Sequence, residues 1–463
     1  MMLRKISLAI AFACASHAYA ADTEFDNFTA LTSSQTSPLP AATPILLSSP
    51  NFSQVTIADR ATQNLLVPGS NSGNWDMIDA DSTGRYLFMP FETGTGGVQR
   101  VDLLDPNYNT RTVTIVAPGT SGFVAGDASR TTPWGSYITA EESWGTGSTK
   151  GRLFEVTNPT TATENTGTFI QRSIIPRVSH EGLAFDTLKN MYFIDEQNGG
   201  SIYKYTSANA NATNGNDYFA AGQTFAAVVN GGNNNVSATG NIVWQAITDA
   251  TGGALAGVST VLGDGTIDGR VSANTILASN YQRPEDAEIS KNANGEEILY
   301  FATTTTNEVF AFNLATNTSS LFASTATLNL ATNAAVGSTE FTSPDNIAID
   351  AEGNVYIVED RNGAVDNDIW FAKDLNHDGD LNDTGEGLQR WASNGTPGSE
   401  FTGLYFDKND PNKAYVNIQH PTDGVDRLIQ ISAVAPVPEP ETYAMMMAGL
   451  GMLGAVARRR KQK

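Results

Sequence analysis

The sequence predicts an all-β protein, a β-propeller of six blades with seven as the alternative. Three observations carry this expectation. Short runs rich in Val, Ile, Thr, Tyr, Phe and Trp, bounded by Gly, Asn, Asp and Pro, dominate the chain. They recur as one unit: an alternating strand, a polar turn, an aromatic-rich strand, a second turn and a third strand. The units begin near Asp76, Gly126, Glu181, Glu285, Asp345 and Thr402. Most are about 50–60 residues apart, a period that suits propeller blades carrying insertions.

Taken in order, the chain opens with MMLRKISLAIAFACASHAYA. Basic Arg4 and Lys5, an apolar stretch and an Ala18-Tyr19-Ala20 cleavage site read as a secretory signal over 1–20. Residues 21–60 form a polar lead-in, placed to supply a strand that closes the ring. The propeller spans 61–435. Its units are clearest in HEGLAFDTLKNMYFIDEQNGGSIYKY (180–205), PEDAEISKNANGEEILYFATTTTNEVFAF (284–312) and PDNIAIDAEGNVYIVED (344–360). A Gly-, Asn- and Ala-rich insertion, 206–280, doubles the interval between two units; it reads as a loop with a short helix or as a degenerate extra blade. Over 436–463 the chain ends in a Val-Pro-Glu-Pro box, a short apolar segment and the basic cluster Arg458–Arg460. Taken alone, that pattern is one short membrane anchor stopped by positive charge.

Composition narrows the function classes. The net charge is −22, and basic residues concentrated at the two ends offset a still more acidic body. Such a surface repels nucleic acid and anionic lipid and favours divalent cations outside the cell. The only cysteine, Cys14, lies in the signal, so the mature protein has no disulfide, thiolate ligand or thiol nucleophile. No Gly-x-Ser-x-Gly elbow is present, and GTGSTKG (145–151) lacks phosphate-loop spacing. The body histidines, His180, His377 and His420, are too scattered for a zinc cage.

The repeat itself predicts a site. First strands of propeller blades line the central channel, so their equivalent positions converge. Asp76, Glu181, Glu285, Asp345 and Thr402 begin first strands. Glu92, Glu141-Glu142, Asp195-Glu196, Glu359-Asp360 and Gln419-His420 end second strands. Two rings of acids about one axis repel unless hard cations sit among them, and carboxylate oxygens are the ligands such cations take. His180 and His420 are further channel candidates. A separate cation candidate is DLNHDGDLNDTGE (374–386). Asp374, Asn376, Asp378, Asp380 and Asn382 have the spacing of a calcium loop around Gly379, and Glu386 stands one place past the usual final acid. Its flanks read as strands, so the expectation is a structural calcium loop rather than a helical hand.

Two resemblances add to this reading. The 437–460 stretch resembles the PEP-CTERM sorting signal of envelope-exported bacterial proteins. That implies recognition and cleavage by an exosortase, transient anchoring in the membrane, association with exopolysaccharide, and a place in the cell envelope or outside a Gram-negative-type cell. In the body, TPWGSYITAEE (132–142), HEGLAFD (180–186), ANTILASNYQRPED (273–286), SPDNIAID (343–350) and EFTGLYFDKNDPNKAYVNIQHP (400–421) occur in this order. Together they resemble the PhoX family of secreted bacterial alkaline phosphatases. The resemblance implies a propeller with a central iron–calcium cluster that hydrolyses phosphate monoesters. By motif it implies Glu141, Glu142, Glu181 and Glu285 as metal ligands and Arg283 as the clamp on substrate phosphate, with Arg283 and Glu285 catalytic. Ala140 stands where this reading places the family's iron-bridging cysteine, so calcium is the expected ion and an iron pair lacks its bridge. Two other readings compete: a calcium-dependent hydrolase of lactones or other esters, which SPDNIAIDAEGNVYIVE also resembles, and a non-catalytic propeller that binds calcium or matrix polysaccharide.

Overall fold

Strands separated by tight polar turns pair with their sequence neighbours, and the described strands group into six antiparallel meanders of four. The computed structural model describes residues 23–434 except 146, 233–235, 362, 364 and 365. The signal at 1–20, with Cys14, and the sorting segment at 436–463 lie outside the described residues.

The first meander runs Asp79–Ala80, Tyr86–Pro90, Val98–Asp102 and Thr112–Val116. The second is Gly126–Thr131, Tyr137–Glu141, Leu153–Val156 and Phe169–Gln171. The third begins His180–Phe185, Met191–Asp195 and Ile202–Ser207, and its fourth strand, Gly222–Val229, comes from the 206–280 insertion. A further insertion strand, Gly240–Ala246, pairs with Thr318–Ser324, so the third and fourth meanders form one nine-stranded sheet. The insertion also folds two short helices, Gly215–Tyr218 and Gly269–Thr275. The fourth and fifth meanders start at Pro284–Lys291 and Pro344–Ile349. In the sixth, Glu400–Phe406, Lys413–Gln419 and Arg427–Ala433 are completed by Phe52–Asp59 from the lead-in. Joining a lead-in strand to the last three strands in one meander closes the ring.

Aromatic side chains fill the spaces between meanders. Phe25, from the lead-in, is fully buried among Phe52, Trp391 and Phe406, each ring centroid 5.5 Å from its own in edge-on contact. Its carbonyl also accepts the Trp391 indole N–H at 3.0 Å. Edge-on rings gain beyond their buried area, so the lead-in is anchored by packing as well as by pairing.

Inner strands approach one another closely at the axis. A Cβ on Gly182 would come within 2.2 Å of the Ala287 backbone nitrogen, so only glycine fits between the third and fourth inner strands. Across the next junctions, Asp286 accepts the Ile347 N–H at 3.0 Å and Asn346 accepts the Gly403 N–H at 2.7 Å. These bonds tie adjacent inner strands to one another across the junctions.

Candidate metal centre

Every inner strand from the second to the sixth meander carries the same irregularity. Pairing with the second strand breaks between Gly126 and Ser129, His180 and Leu183, Pro284 and Ala287, Pro344 and Ile347, and Thr402 and Tyr405. Each break is a β-bulge, which turns a side chain out of the pleat. The first bulged residue in four of them is an acid: Asp127, Glu181, Glu285 and Asp345.

A second device repeats beside the first. Asn74, Ala125, Arg283 and Ser343 have positive φ of 41–51°, each two residues before an acid of the inner ring. The carbonyls of these residues, and that of Ser179 in the third meander, accept the N–H of a residue just past the second strand of the same meander. The bonds are Glu92 to Asn74, Glu142 to Ala125 and Glu196 to Ser179 at 2.8 Å, and Thr304 to Arg283 and Asp360 to Ser343 at 3.0 Å. Left-handed backbone at non-glycine residues costs about 1 kcal/mol or more apiece, and its recurrence marks a constrained site. The outer ring of acids is thereby fastened beside the inner ring.

The result is a polar cavity of about 270 Å³ at one mouth of the channel. Asp76, Asp127, Glu142, Glu181, Glu285 and Asp345 line it, with Glu92, Asp360, Glu400, Arg283, Gln419 and His420 around them. Two carboxylate triads overlap in it: Asp127, Glu142 and Glu181, and Glu181, Glu285 and Asp345. Within each triad, one oxygen per residue lies within 4.8 Å of the others. Glu181 is common to both.

This arrangement is electrostatically costly without cations. At an effective dielectric of about 20, two full charges about 4.8 Å apart repel by roughly 3 kcal/mol. Burial is the first cause that pushes the carboxyls of Asp76, Asp127, Glu142, Glu181, Glu285 and Asp345 well above the usual range, and neighbouring carboxylates add to it. Glu92 is pushed up to about 7 by burial and by Asp360. Glu400 rises to about 8, mainly through burial, against the opposing bond from His420. That bond, 2.5 Å from His420 Nε2 to Glu400 Oε1, raises His420 to about 9. Gln419 donates to both Asp76 and Glu92 at 3.0 Å.

Beside His420, the guanidinium of Arg283 reaches into this field. Arg283 places Nε 2.6 Å from Glu196 Oε1 and 3.2 Å from Glu285 Oε1, and its side chain lines the cavity.

Several sequence expectations are corrected. Glu141 does not face the cavity. Its fully buried carboxylate is held by Arg152, with Nε 2.9 Å from Oε2 and Nη2 2.5 Å from Oε1. Successive residues of a strand point to opposite faces, so of the pair only Glu142 turns to the channel. The same division recurs: Asp195 is held by Arg270 and Glu359 by the Trp370 indole, while Glu196 and Asp360 stand on the channel side. His180 is buried against Phe193, with centroids 5.3 Å apart, and burial pushes it down to about 3; it belongs to the blade interior. Ala140 packs in an apolar cluster with Ile138 and Leu183, away from the cavity. Beside Glu142, this meander brings Asp127 to the cluster, a residue that sequence reasoning missed although it sits directly after the unit start at Gly126. Asp76, Glu142, Glu181, Arg283, Glu285, Asp345 and His420 do come together. Asp374, Asn376, Asp378, Asp380 and Asn382 lie apart from them, between the strands Asp368–Lys373 and Gly387–Asn394.

Comparisons with known proteins agree with this architecture. The family model for alkaline phosphatase PhoX matches residues 119–422, and the PEP-CTERM protein-sorting motif matches 436–461. No curated protein matches the chain. Among solved structures, Pseudomonas fluorescens PhoX in complex with vanadate, a transition state analogue, is 15% identical with a TM-score of 0.58, over 87% of this chain and 98% of that one. A putative phosphatase from Bacteroides thetaiotaomicron is 12% identical with a TM-score of 0.45, over 79% of this chain and 72% of that one. With two thirds of its length matched by one family model and its fold shared with a solved member, this chain belongs to the alkaline phosphatase PhoX family.

Proposed function

We propose that the chain is an exported, metal-dependent phosphoesterase that hydrolyses phosphate monoesters at the mouth of the propeller channel. The observation that carries this is the pair of carboxylate triads sharing Glu181, with Arg283 in the same cavity. The donor chemistry fits hard cations: every acid in both triads offers oxygen, and the only cysteine lies in the signal. Asp127, Glu142 and Glu181 would hold one ion, and Glu181, Glu285 and Asp345 a second; calcium suits this set, and an iron pair bridged by sulfur does not. Bound there, such ions supply Lewis-acid polarisation of a phosphoryl oxygen and lower the pKa of a coordinated water.

The chain's own residues do the rest. Arg283 is a planar, always-charged fork suited to phosphoryl oxygens. Glu196 and Glu285 engage its Nε edge and so direct the guanidinium toward the cavity. The remaining acids exclude anions from the mouth unless cations neutralise it, which makes phosphate binding conditional on metal.

The test is a phosphomonoester assay on the mature chain, stripped with chelator and reloaded with calcium. Turnover is expected with calcium and absent without it. Arg283→Ala should lower kcat/KM by about 100-fold or more, the usual effect of losing a charge-stabilising donor, while calcium content stays unchanged. Binding of calcium without any esterase activity would leave a non-catalytic cation-binding propeller. The sorting motif places the protein in the exported class, and we read its working site as the cell envelope or the surrounding matrix after exosortase processing. An intact mass from the native envelope that still included 436–463 would overturn that part.

A further inference from the structure

We propose that the loop 374–386 is a second cation site, selective for calcium and remote from the channel, that clamps the fifth meander to the fourth. The loop joins Asp368–Lys373 to Gly387–Asn394. Asp374, at its entrance, is only 8% exposed. Its Oδ2 accepts the Gly379 N–H at 3.1 Å, which turns the carboxylate across the loop, and its Oδ1 is buried without a hydrogen-bond partner. An orphaned carboxylate oxygen is expensive unless something positive meets it. Glu386, at the exit, is 1% exposed and turned inward, its two oxygens accepting the N–H groups of Leu375 at 3.0 Å and Asp383 at 3.1 Å. In the sequence Glu386 stands one place late for a calcium loop. Here Gly385, at φ +94°, swings the chain so that the late glutamate still turns inward.

Asn376 and Asp378, which lie between these two acids in the chain, add further side-chain oxygens to the loop. Asn376 Oδ1 accepts the Asp378 N–H at 3.0 Å, and Asp378 Oδ1 accepts the Asp380 N–H at 3.1 Å. An all-oxygen set of three carboxylates and an amide on a loop suits calcium, which accepts irregular oxygen cages, better than magnesium, which demands a near-ideal octahedron.

The clamp is visible in the neighbours. The His377 carbonyl accepts the Ala293 N–H at 3.0 Å, and the Gly379 carbonyl accepts the Ser320 hydroxyl at 3.4 Å; both donors belong to the fourth meander. A side chain at Gly379 would meet the Tyr300 hydroxyl, Ala311 and Ile298 of that same meander. Ordering this loop therefore ties two blades together across their outer face.

The site is tested independently of catalysis, in the Glu181→Gln background that removes the residue shared by both channel triads. Calorimetric titration of the chelator-stripped mature chain with calcium should still find one site. Melting temperature should rise with calcium and respond far less to magnesium. Adding Asp378→Ala, an exposed position whose truncation spares the fold, should weaken calcium binding at least tenfold and abolish the melting response. Should that variant fail to fold, Asp378→Asn and terbium luminescence sensitised by Tyr300 read the same site, and Tyr300→Phe should dim the signal without changing affinity. The proposal is overturned if Glu181→Gln binds no calcium, or if the double variant binds it as tightly as the single one. Full phosphatase activity in Glu181→Gln, with this binding retained, would count against the channel assignment alone.

Discussion

Replacing Glu181 by Gln should stabilise the metal-free protein and destabilise the metal-loaded one. Glu181 is 4% exposed and takes part in both triads, so its charge faces four other acids at close range. Each ionised neighbour about 4.8 Å away costs roughly 3 kcal/mol at an effective dielectric of about 20. Those acids share protons rather than ionising together, so one net repulsion, about 3 kcal/mol, is the expected relief at pH 8. Unfolding entropy of about 2.1 cal/mol/K per residue makes 1 kcal/mol worth roughly 1 °C in a chain of this size, so Tm should rise by about 3 °C in chelator. Burial and the neighbouring carboxylates hold these carboxyls above the usual range, so as pH falls the folded acids take up protons and the gain should shrink. With calcium the sign reverses, because wild type gains binding energy that the variant has lost. The assay is thermal melting of wild type and Glu181→Gln at pH 5 and pH 8, each with chelator and with calcium. If the variant melts below wild type in chelator at pH 8, the acids are not repelling one another and the cation-centre argument fails.

Three further outcomes follow from the same geometry. Glu92 has an ordinary value of 4.5 and a folded one of about 7, so the folded state holds its proton more tightly. The stability this gives is present below about pH 4.5 and is lost as pH rises through 7, about 3 kcal/mol in all; urea midpoints of the metal-free protein should fall across that window, and calcium should flatten the fall. Arg152→Ala should cost about 3–5 kcal/mol in denaturant titrations, because it strands the fully buried Glu141 carboxylate, whereas Glu141→Gln should leave calcium stoichiometry at the channel unchanged; loss of calcium there would return Glu141 to the metal site. Gly182→Ala should destabilise by about 2 kcal/mol or more and lower metal affinity together, since its Cβ would sit 2.2 Å from the Ala287 backbone nitrogen beside both triads; a variant with wild-type melting would show that the inner strands can part freely.

The repeat, and with it the convergence, is legible in the string of residues. Strand periodicity and the recurring acids at Asp76, Glu181, Glu285 and Asp345 are local patterns, and a closed ring of like units forces such positions onto one axis. What it left open was which of two adjacent acids faces that axis. Glu141 and Glu142 are equivalent in a string of letters. Only strand register, with Arg152 opposite Glu141, assigns one to the blade and the other to the channel. Asp127 was hidden for a related reason: a bulge two residues long re-aims its side chain, and bulges leave no compositional mark beyond the small residues beside it. Arg283 was legible as a charged residue near Glu285, but its orientation depends on Glu196, 87 positions earlier in the chain. Closure by the lead-in was expected from the sequence, but its partner was not, since Phe52–Asp59 finds Arg427–Ala433 only once the intervening blades have curled round. Tertiary structure decided these points because each turns on where a neighbour from another blade lies, and a sequence records composition and spacing along one chain, not distance across a channel.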